Sequence, residues 1–502
     1  MRTVKIEIKG KDYTPFESFT VLSEDKAVKD LEDPAKIVKE VFDHAFLNED
    51  SVFLKKDSYF LMDIYGSGAD LKYRPADLFM ENNAGVAGLI GYFSIVFTLP
   101  EGSSALGALS ESDAVMVDAR VSITSRFDSD SKPFFLIKML ETVDADLDLL
   151  GGEPVNSSEE EIWDRLLVQL YKNSILKLIR LGFYRRYVYK ESNDTKVRGS
   201  IDLSRHIRLN CGLNTGRVAC SYRENTQDNP LNHFMIRAYE MVKDMFPEQL
   251  RRVEQRNSEF NKIIASLRSI APSYVMYSDR FLLEANMKAI TSPFYQPYEQ
   301  MRQICIRIFR RRGISLMMDK EDFFADGFLV YVPDLFEQYF QRVLESIYGN
   351  KAVRAQAEKT VSKRYDSIGS IRPDFVIGNE YILDTKFKPW YSEYINMTRL
   401  DTAQWYESPK YRLFDEDSRK LIRDMREFRC AAGGLVYPST GRSGISKLSA
   451  HYFGEEEYVI YSIPLQIPDG ESESYDDWSR EYEGCISSFS ADLISSFPVD
   501  FE

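Results

Sequence analysis

Between residues 371 and 388 the chain reads Ile-Arg-Pro-Asp-Phe-Val-Ile-Gly-Asn-Glu-Tyr-Ile-Leu-Asp-Thr-Lys-Phe-Lys, and in this stretch Asp374, Asp384 and Lys386 have types and spacing suited to phosphodiester hydrolysis. Phe375 to Ile377 and Tyr381 to Leu383 are apolar at every position, as in strands covered on both faces. Gly378 and Asn379 between them predict a tight hairpin turn. Asp384 and Lys386 are two apart, so on a strand they point to the same side. With the hairpin centred on Asn379, Asp374 stands opposite Asp384, Cβ atoms about 4.5–5.5 Å apart. Two carboxylates that close repel unless a cation lies between them. A divalent ion there lowers the pKa of a bound water and steadies charge on phosphoryl oxygens, while a nearby ammonium orients the water or stabilises the transition state. A turn centred between Gly378 and Asn379 shifts the register by one and removes the arrangement. The plainer alternative is a surface hairpin in which Lys386 pairs with one aspartate.

Other chemistries are poorly represented. The five cysteines (211, 220, 305, 430, 485) are scattered without a CxxC pair, and the four histidines (44, 206, 233, 451) have no ligand spacing. Zinc and disulfide frameworks are therefore not expected, and a carboxylate-bound metal should be a hard ion, Mg²⁺, with Mn²⁺ as the alternative. No GxxxxGK[ST] loop is present, so nucleotide hydrolysis by this chain is not expected. The uncharged stretch from Asn82 to Pro100 is short and glycine-containing, and reads as a buried strand pair rather than a membrane span. With no signal-peptide core at the start, a cytoplasmic location is expected.

At 502 residues the chain is too long for a single core. Residues 1–150 read as a β-rich domain, with strands expected at Val4–Ile8, Ser58–Ile64, Ala114–Ile123 and Pro133–Met139. Residues 151–315 read as a mainly helical, basic connecting domain, in which Glu248–Leu267 is expected as one helix. Residues 316–502 read as an α/β domain around a mixed sheet, beginning with a strand at Phe323–Tyr331. The fold class is thus α+β multidomain, with disorder expected only at the acidic tail. Net charge is −14, but it is segregated: residues 171–223 carry twelve Lys and Arg against three acids. Arg185, Arg186, Arg198, Arg205 and Arg208 in that stretch are candidates for DNA-backbone or partner contact. A solvated face whose arginines pair with neighbouring acids is the alternative.

The Asp374–Lys386 pattern resembles the PD-(D/E)xK nuclease superfamily. Within it, the chain resembles the McrC-type endonuclease subunit of McrBC-like restriction systems, with LlaJI-like systems as relatives. Arg372-Pro373-Asp374 and Asp384-Thr385-Lys386 carry the likeness. Gly199-Ser200-Ile201-Asp202-Leu203, Asp228-Asn229-Pro230-Leu231, Asp334-Leu335-Phe336-Glu337, Asp401-Thr402-Ala403-Gln404 and Val436-Tyr437-Pro438 extend it in order.

The resemblance implies Asp374, Asp384 and Thr385 as the metal-binding residues, and Lys386 as the catalytic lysine. It implies Glu337 as an outer acid, the alternative being an ordinary helix glutamate. Gln404 would be a supporting group, although Trp405-Tyr406-Glu407-Ser408 after it departs from the family's tyrosine spacing. It further implies a Mg²⁺-dependent endodeoxyribonuclease in phage defence. The implied partners are double-stranded DNA and an McrB-like hexameric AAA+ GTPase; GTP would bind only there, and residues 1–150 would dock. Cutting both strands with one metal site per subunit implies dimerisation through the nuclease domain. A non-catalytic activator of the motor and a stand-alone nuclease are the competing readings.

Overall fold

The computed structural model describes residues 2–29, 33–47, 78–80, 84–99, 115–129, 132–143, 159–178, 181–211, 216–312, 324–362, 368–388, 409–430, 432–441, 444–453, 456–469, 472 and 474–499. The chain divides into two compact units, Met1–Ile162 with Asp322–Glu502, and Trp163–Glu321. The two ends of the sequence thus share one unit, and the middle segment is inserted between them.

The first unit opens with β1 (Arg2–Lys11), β2 (Thr20–Leu22) and helix α1 (Ala35–Phe42), followed by β3 (Leu89–Leu99), β4 (Val115–Thr124) and helix α2 (Phe134–Val143). β1 pairs in parallel with β4 and antiparallel with β2, and β3 runs antiparallel to β4. Alternation places Val4, Ile6 and Ile8 of β1 against Ile37, Val38, Val41 and Phe42 of α1, with Phe93, Ile95 and Phe97 of β3 in the same core. The uncharged stretch expected as a strand pair contains one long strand. Leu89–Leu99 runs unbroken through Gly91, which is paired on both sides, and Gly85 and Val86 make only isolated bridges. The strand expected at Pro133–Met139 is instead helix α2. Its aromatic and β-branched residues look strand-like, but Phe134, Phe135, Leu136, Ile137, Met139 and Leu140 are all buried, which either structure satisfies. The helix is favoured by Asp128, whose carboxylate accepts from the N–H groups of Phe135 (2.9 Å) and Leu136 (3.3 Å). The strand expected at Ser58–Ile64 lies outside the described residues.

Helix α3 (Glu159–Leu178) leads into the middle unit. There β5 (Arg186–Asp194), β6 (Ser200–Ile201) and β7 (Val218–Thr226) form an antiparallel sheet ordered β5-β7-β6, absent from the helical expectation, with helix α4 (Leu203–Asn210) between β6 and β7 in sequence. Helices α5 (Pro230–Met245), α6 (Pro247–Arg256), α7 (Ser258–Ile270), α8 (Asp279–Ala285) and α9 (Gln296–Arg311) follow. The single helix expected over Glu248–Leu267 is broken at Asn257, which caps α6 and opens α7.

Strand β8 (Phe324–Tyr331) then returns to the first unit and pairs antiparallel with β3, completing a sheet ordered β2-β1-β4-β3-β8. The sequence reading grouped this strand with the C-terminal domain; its hydrogen bonds place it in the N-terminal sheet. After it come α10 (Val332–Tyr348), β9 (Val353–Ala355), the pair β10 (Lys359–Ser362) and β11 (Ile368–Ile371), β12 (Phe375–Ile377), β13 (Tyr381–Thr385), α11 (Pro409–Phe428), β14 (Ala432–Ser439), β15 (Ser446–Phe453), β16 (Glu456–Gln466) and α12 (Tyr475–Ser496). The second sheet runs β15-β16-β14-β13-β12-β9. It is mixed, as expected, because β13, β14 and β16 are parallel and the other pairs antiparallel. The acidic tail is not disordered over 475–496: Trp478, Tyr482, Phe489 and Leu493 recur on one buried face of α12, and its acids lie outside that stripe. Among the described residues, no helix is long and apolar enough to cross a membrane.

Candidate active site

The site is assembled on the β12–β13 hairpin. Gly378 (φ 58°) and Asn379 (φ 65°) take the left-handed conformations a tight hairpin requires, and Glu380 N donates to the Ile377 carbonyl at 3.0 Å. Phe375 pairs with Leu383, Val376 with Ile382 and Ile377 with Tyr381. The register is therefore centred on Asn379, and its next step sets Asp374 opposite Asp384. Buried Phe375, Val376, Ile377, Ile382 and Leu383 fix the hairpin inside the sheet. β14 holds the other edge of β13, and Lys386 N donates to the Val436 carbonyl at 2.7 Å.

Asp374 is oriented by Thr385, whose N–H and hydroxyl both donate to its Oδ2 at 2.8 Å. Thr385, expected beside a metal, thus uses its amide and side chain to position Asp374. Burial, and then the charge of Asp384, push the Asp374 carboxyl up to about 6. Helix α10 brings Glu337 to the same region. The Gln356 side-chain amide donates to Glu337 Oε1, and Gln356 N donates to the Asp374 carbonyl at 2.8 Å. Burial and the Asp374 charge push Glu337 up to about 7. It is not an ordinary exposed helix glutamate.

Asp384 is only 2% exposed and has two cationic neighbours. Lys386 Nζ contacts its Oδ2, and Lys420 Nζ donates to its Oδ1 at 2.9 Å. Burial alone would raise the Asp384 carboxyl, but the two ammoniums hold it below the usual carboxylate range. Lys386 is held charged against burial by Asp384, then by Asp417, whose Oδ1 lies 3.5 Å from its Nζ. Lys388 lies 3.7 Å from Asp417 Oδ2.

Lys420 and Asp417 belong to α11 and were missed from sequence. The signal was present: Asp417, Lys420 and Asp424 repeat at helical spacing beside the apolar stripe of Leu421 and Met425, which packs on Ile382 and Leu435. A charged row flanking a buried stripe faces the sheet edge rather than open water. Gln404 lies outside the described residues.

A second cluster fixes the chain beyond the lysine. Asp12, fully buried, accepts from Arg126 N (2.6 Å) and Arg126 Nη1 (2.8 Å). Arg126 Nη2 donates to the Phe387 carbonyl at 2.8 Å, and its guanidinium lies 4.4–5.0 Å from the ring centroids of Phe127, Phe387 and Tyr13. The N-terminal sheet thus grips the residue next to Lys386.

The middle unit carries the predicted basic residues. Arg185, Arg186, Arg198 and Arg208 are exposed. Arg205 pairs with Glu191 at 3.3 Å, Lys190 with Glu224 at 2.7 Å, and Arg198 lies over the Tyr222 ring. Part of this charge is therefore balanced locally.

Among the described residues, no group of three or more Asp, Glu, His or Cys side chains forms a ready metal cage. The donor chemistry nonetheless fits a hard divalent ion. Asp374 and Glu337 are acids raised first by burial and then by a neighbouring carboxylate, Asp384 for the former and Asp374 for the latter, a repulsion a cation relieves, and Asp384 supplies a carboxylate already ionised. As a ligand, Asp384 would share its oxygens between the ion and its two ammonium neighbours.

The sequence profile described as "McrBC 5-methylcytosine restriction system component" matches residues 103–438, about two thirds of the chain. The chain belongs to that family. The acid–acid–lysine hairpin lies within the matched residues. No curated protein matches it. One similar solved structure is titled as a half-complex from a tetradecameric assembly of Thermococcus gammatolerans McrB AAA+ hexamers with bound McrC. It has 16% identity and a TM-score of 0.45, covering 98% of this chain and 100% of that one. Another, the Thermococcus gammatolerans McrBC complex, has 15% identity and a TM-score of 0.31, covering 68% of this chain and 88% of that one.

Proposed function

We propose that this McrBC-family chain is the Mg²⁺-dependent DNA endonuclease subunit of a GTP-driven, modification-dependent restriction complex, with a PD-(D/E)xK nuclease domain built on the mixed sheet. The supporting observation is the hairpin register that sets Asp374 against Asp384, with Lys386 alongside and Glu337 behind. Asp374 and Asp384 would hold the ion, which when bound supplies a water of lowered pKa and charge stabilisation at the phosphoryl group. Lys386, kept protonated by Asp384 and Asp417, donates from Nζ to a non-bridging phosphate oxygen or to the attacking water. Thr385 holds Asp374 in a single orientation throughout. Glu337, raised to about 7, can take up a proton from the site near neutral pH. The partner proposed from family membership is a hexameric AAA+ GTPase, which supplies the nucleotide chemistry for which this chain lacks the loop.

The test is cleavage of methylated plasmid with Mg²⁺, GTP and the cognate AAA+ protein, comparing wild type with Asp384→Asn. Cutting by wild type and a loss of at least about a hundredfold in the variant are expected; equal cutting by both refutes the assignment.

A second reading has its own support. Both oxygens of Asp384 face ammoniums and, among the described residues, no three-acid group is assembled, as in an activator that keeps a nuclease-like fold without catalysis. It predicts stimulation of the partner GTPase with no binding of divalent ions by this chain.

A further inference from the structure

The proposed nuclease site has one lysine more than its chemistry needs. The two carboxylate oxygens of Asp384 are divided between Lys386 at Oδ2 and Lys420 at Oδ1. Asp384 itself is buried, and each of its oxygens already has an ammonium neighbour. A divalent ion ligated by Asp384 would stand close to both ammoniums, and like-charge repulsion favours the departure of one of them.

The two lysines are not equally free to leave. Lys386 sits at the end of a central strand, its side chain 12% exposed, with Asp417 as a second acid at 3.5 Å. Its backbone is tied to Val436, and the following carbonyl to Arg126. Lys420 projects from helix α11 with its side chain 38% exposed, and among the described residues Asp384 is its one ion-pair partner. Rotation about its long side chain moves the ammonium toward solvent without disturbing the sheet. Released, it is an uncompensated cation beside the metal site, placed for a backbone phosphate next to the scissile bond.

We propose that Lys420 is a displaceable counter-ion: it neutralises Asp384 until a divalent ion binds, and then transfers to a DNA phosphate. This rests on the nuclease reading above and adds a coupling to it. Each ligand removes an obstacle for the other, because the phosphate draws Lys420 away from Asp384 and the ion ejects it toward the phosphate. By linkage, DNA then tightens ion binding by the same factor as the ion tightens DNA binding. Such a chain holds little metal until DNA is present, which keeps the site quiet between substrates. A purely structural lysine pinning α11 to β13 behaves in the opposite way, since removing it loosens the site and weakens ion binding.

The test is calorimetric titration of the full-length chain with Ca²⁺, with and without a methylated DNA duplex, for wild type, Lys420→Met and Lys420→Arg. Without DNA, Lys420→Met is expected to bind Ca²⁺ on the order of tenfold more tightly than wild type, a partly exposed charge at contact distance having been removed. Lys420→Arg, which keeps the charge, stays near wild type. The duplex tightens Ca²⁺ binding in wild type, and this gain is lost in Lys420→Met. Unchanged or weaker Ca²⁺ binding by Lys420→Met, with wild type binding the ion, overturns the counter-ion role alone. Absence of Ca²⁺ binding by all three forms, with and without DNA, overturns it together with the nuclease reading.

Discussion

Replacing Arg126 by Met tests whether the N-terminal sheet holds the catalytic strand in place. Methionine keeps much of the side chain's length and stays among the rings of Tyr13, Phe127 and Phe387, so packing is largely retained. What is lost is electrostatic: Asp12, with no exposed surface, keeps one backbone donor and loses its guanidinium, while the Phe387 carbonyl loses its side-chain donor. Removing one partner of a buried pair costs about 3–5 kcal/mol, because the remaining charge stays uncompensated. Burial already raises the Asp12 carboxyl, against the lowering effect of Arg126; without the arginine it rises further, and protonation limits the loss at low pH. The cost therefore grows as pH increases. Asp12→Asn combined with Arg126→Met removes both charges and should recover most of it. The assay is amide exchange followed by mass spectrometry on peptides spanning the ends of β1, β4 and β13. A local opening made about 3 kcal/mol easier raises exchange by on the order of a hundredfold. Cleavage should fall with DNA affinity retained, since Lys386 loses the anchor beyond it. A change under about 1 kcal/mol, or a double variant as damaged as the two single changes added together, refutes the clamp.

Two further outcomes follow from buried acids. Glu337 and Asp374 are raised to about 7 and about 6, so their folded forms bind protons more tightly than the unfolded chain. Their contribution to stability is full below the ordinary carboxylate range and is lost as pH rises through about 6 to 7. Asp384, held low, contributes in the opposite sense and loses its share only on acidification. Thermal unfolding in chelator should therefore show falling stability from about pH 5 to pH 8, flattened by Glu337→Gln; an identical slope in that variant contradicts the assignment. Asp128→Ala removes the acceptor for two N–H groups at the start of α2 and should cost about 2 kcal/mol, with faster exchange at Phe135 and Leu136. Unaltered exchange there would show that the carboxylate does not hold the helix.

The hairpin was readable because its determinants are local: two residues suited to positive φ, an apolar run on either side, and a period of two that fixes which side chains face one another. The features that were missed depend on distant partners. Residues 134–140 are apolar at every position but Lys138, so neither helical nor strand periodicity is clearly imprinted, and a carboxylate several residues upstream favours the helix. The pairing of β8 with β3 joins segments separated by more than two hundred residues and leaves no local trace. Lys420 reads as one of many helix-surface cations until the sheet beneath α11 is in place. The acidic tail was misjudged by composition, because four buried anchors of α12 hold a helix whose remaining positions are polar.

The late arrival of β8 has a consequence for biosynthesis. Until residue 331 has left the ribosome, the inner edge of β3 has no neighbour, and its row of amide and carbonyl groups, flanked by Phe93, Ile95 and Phe97, is a template for pairing with other chains. A recombinant fragment ending near residue 150 would carry that open edge permanently and should self-associate. Supplying 324–331 on a linker should keep it monomeric.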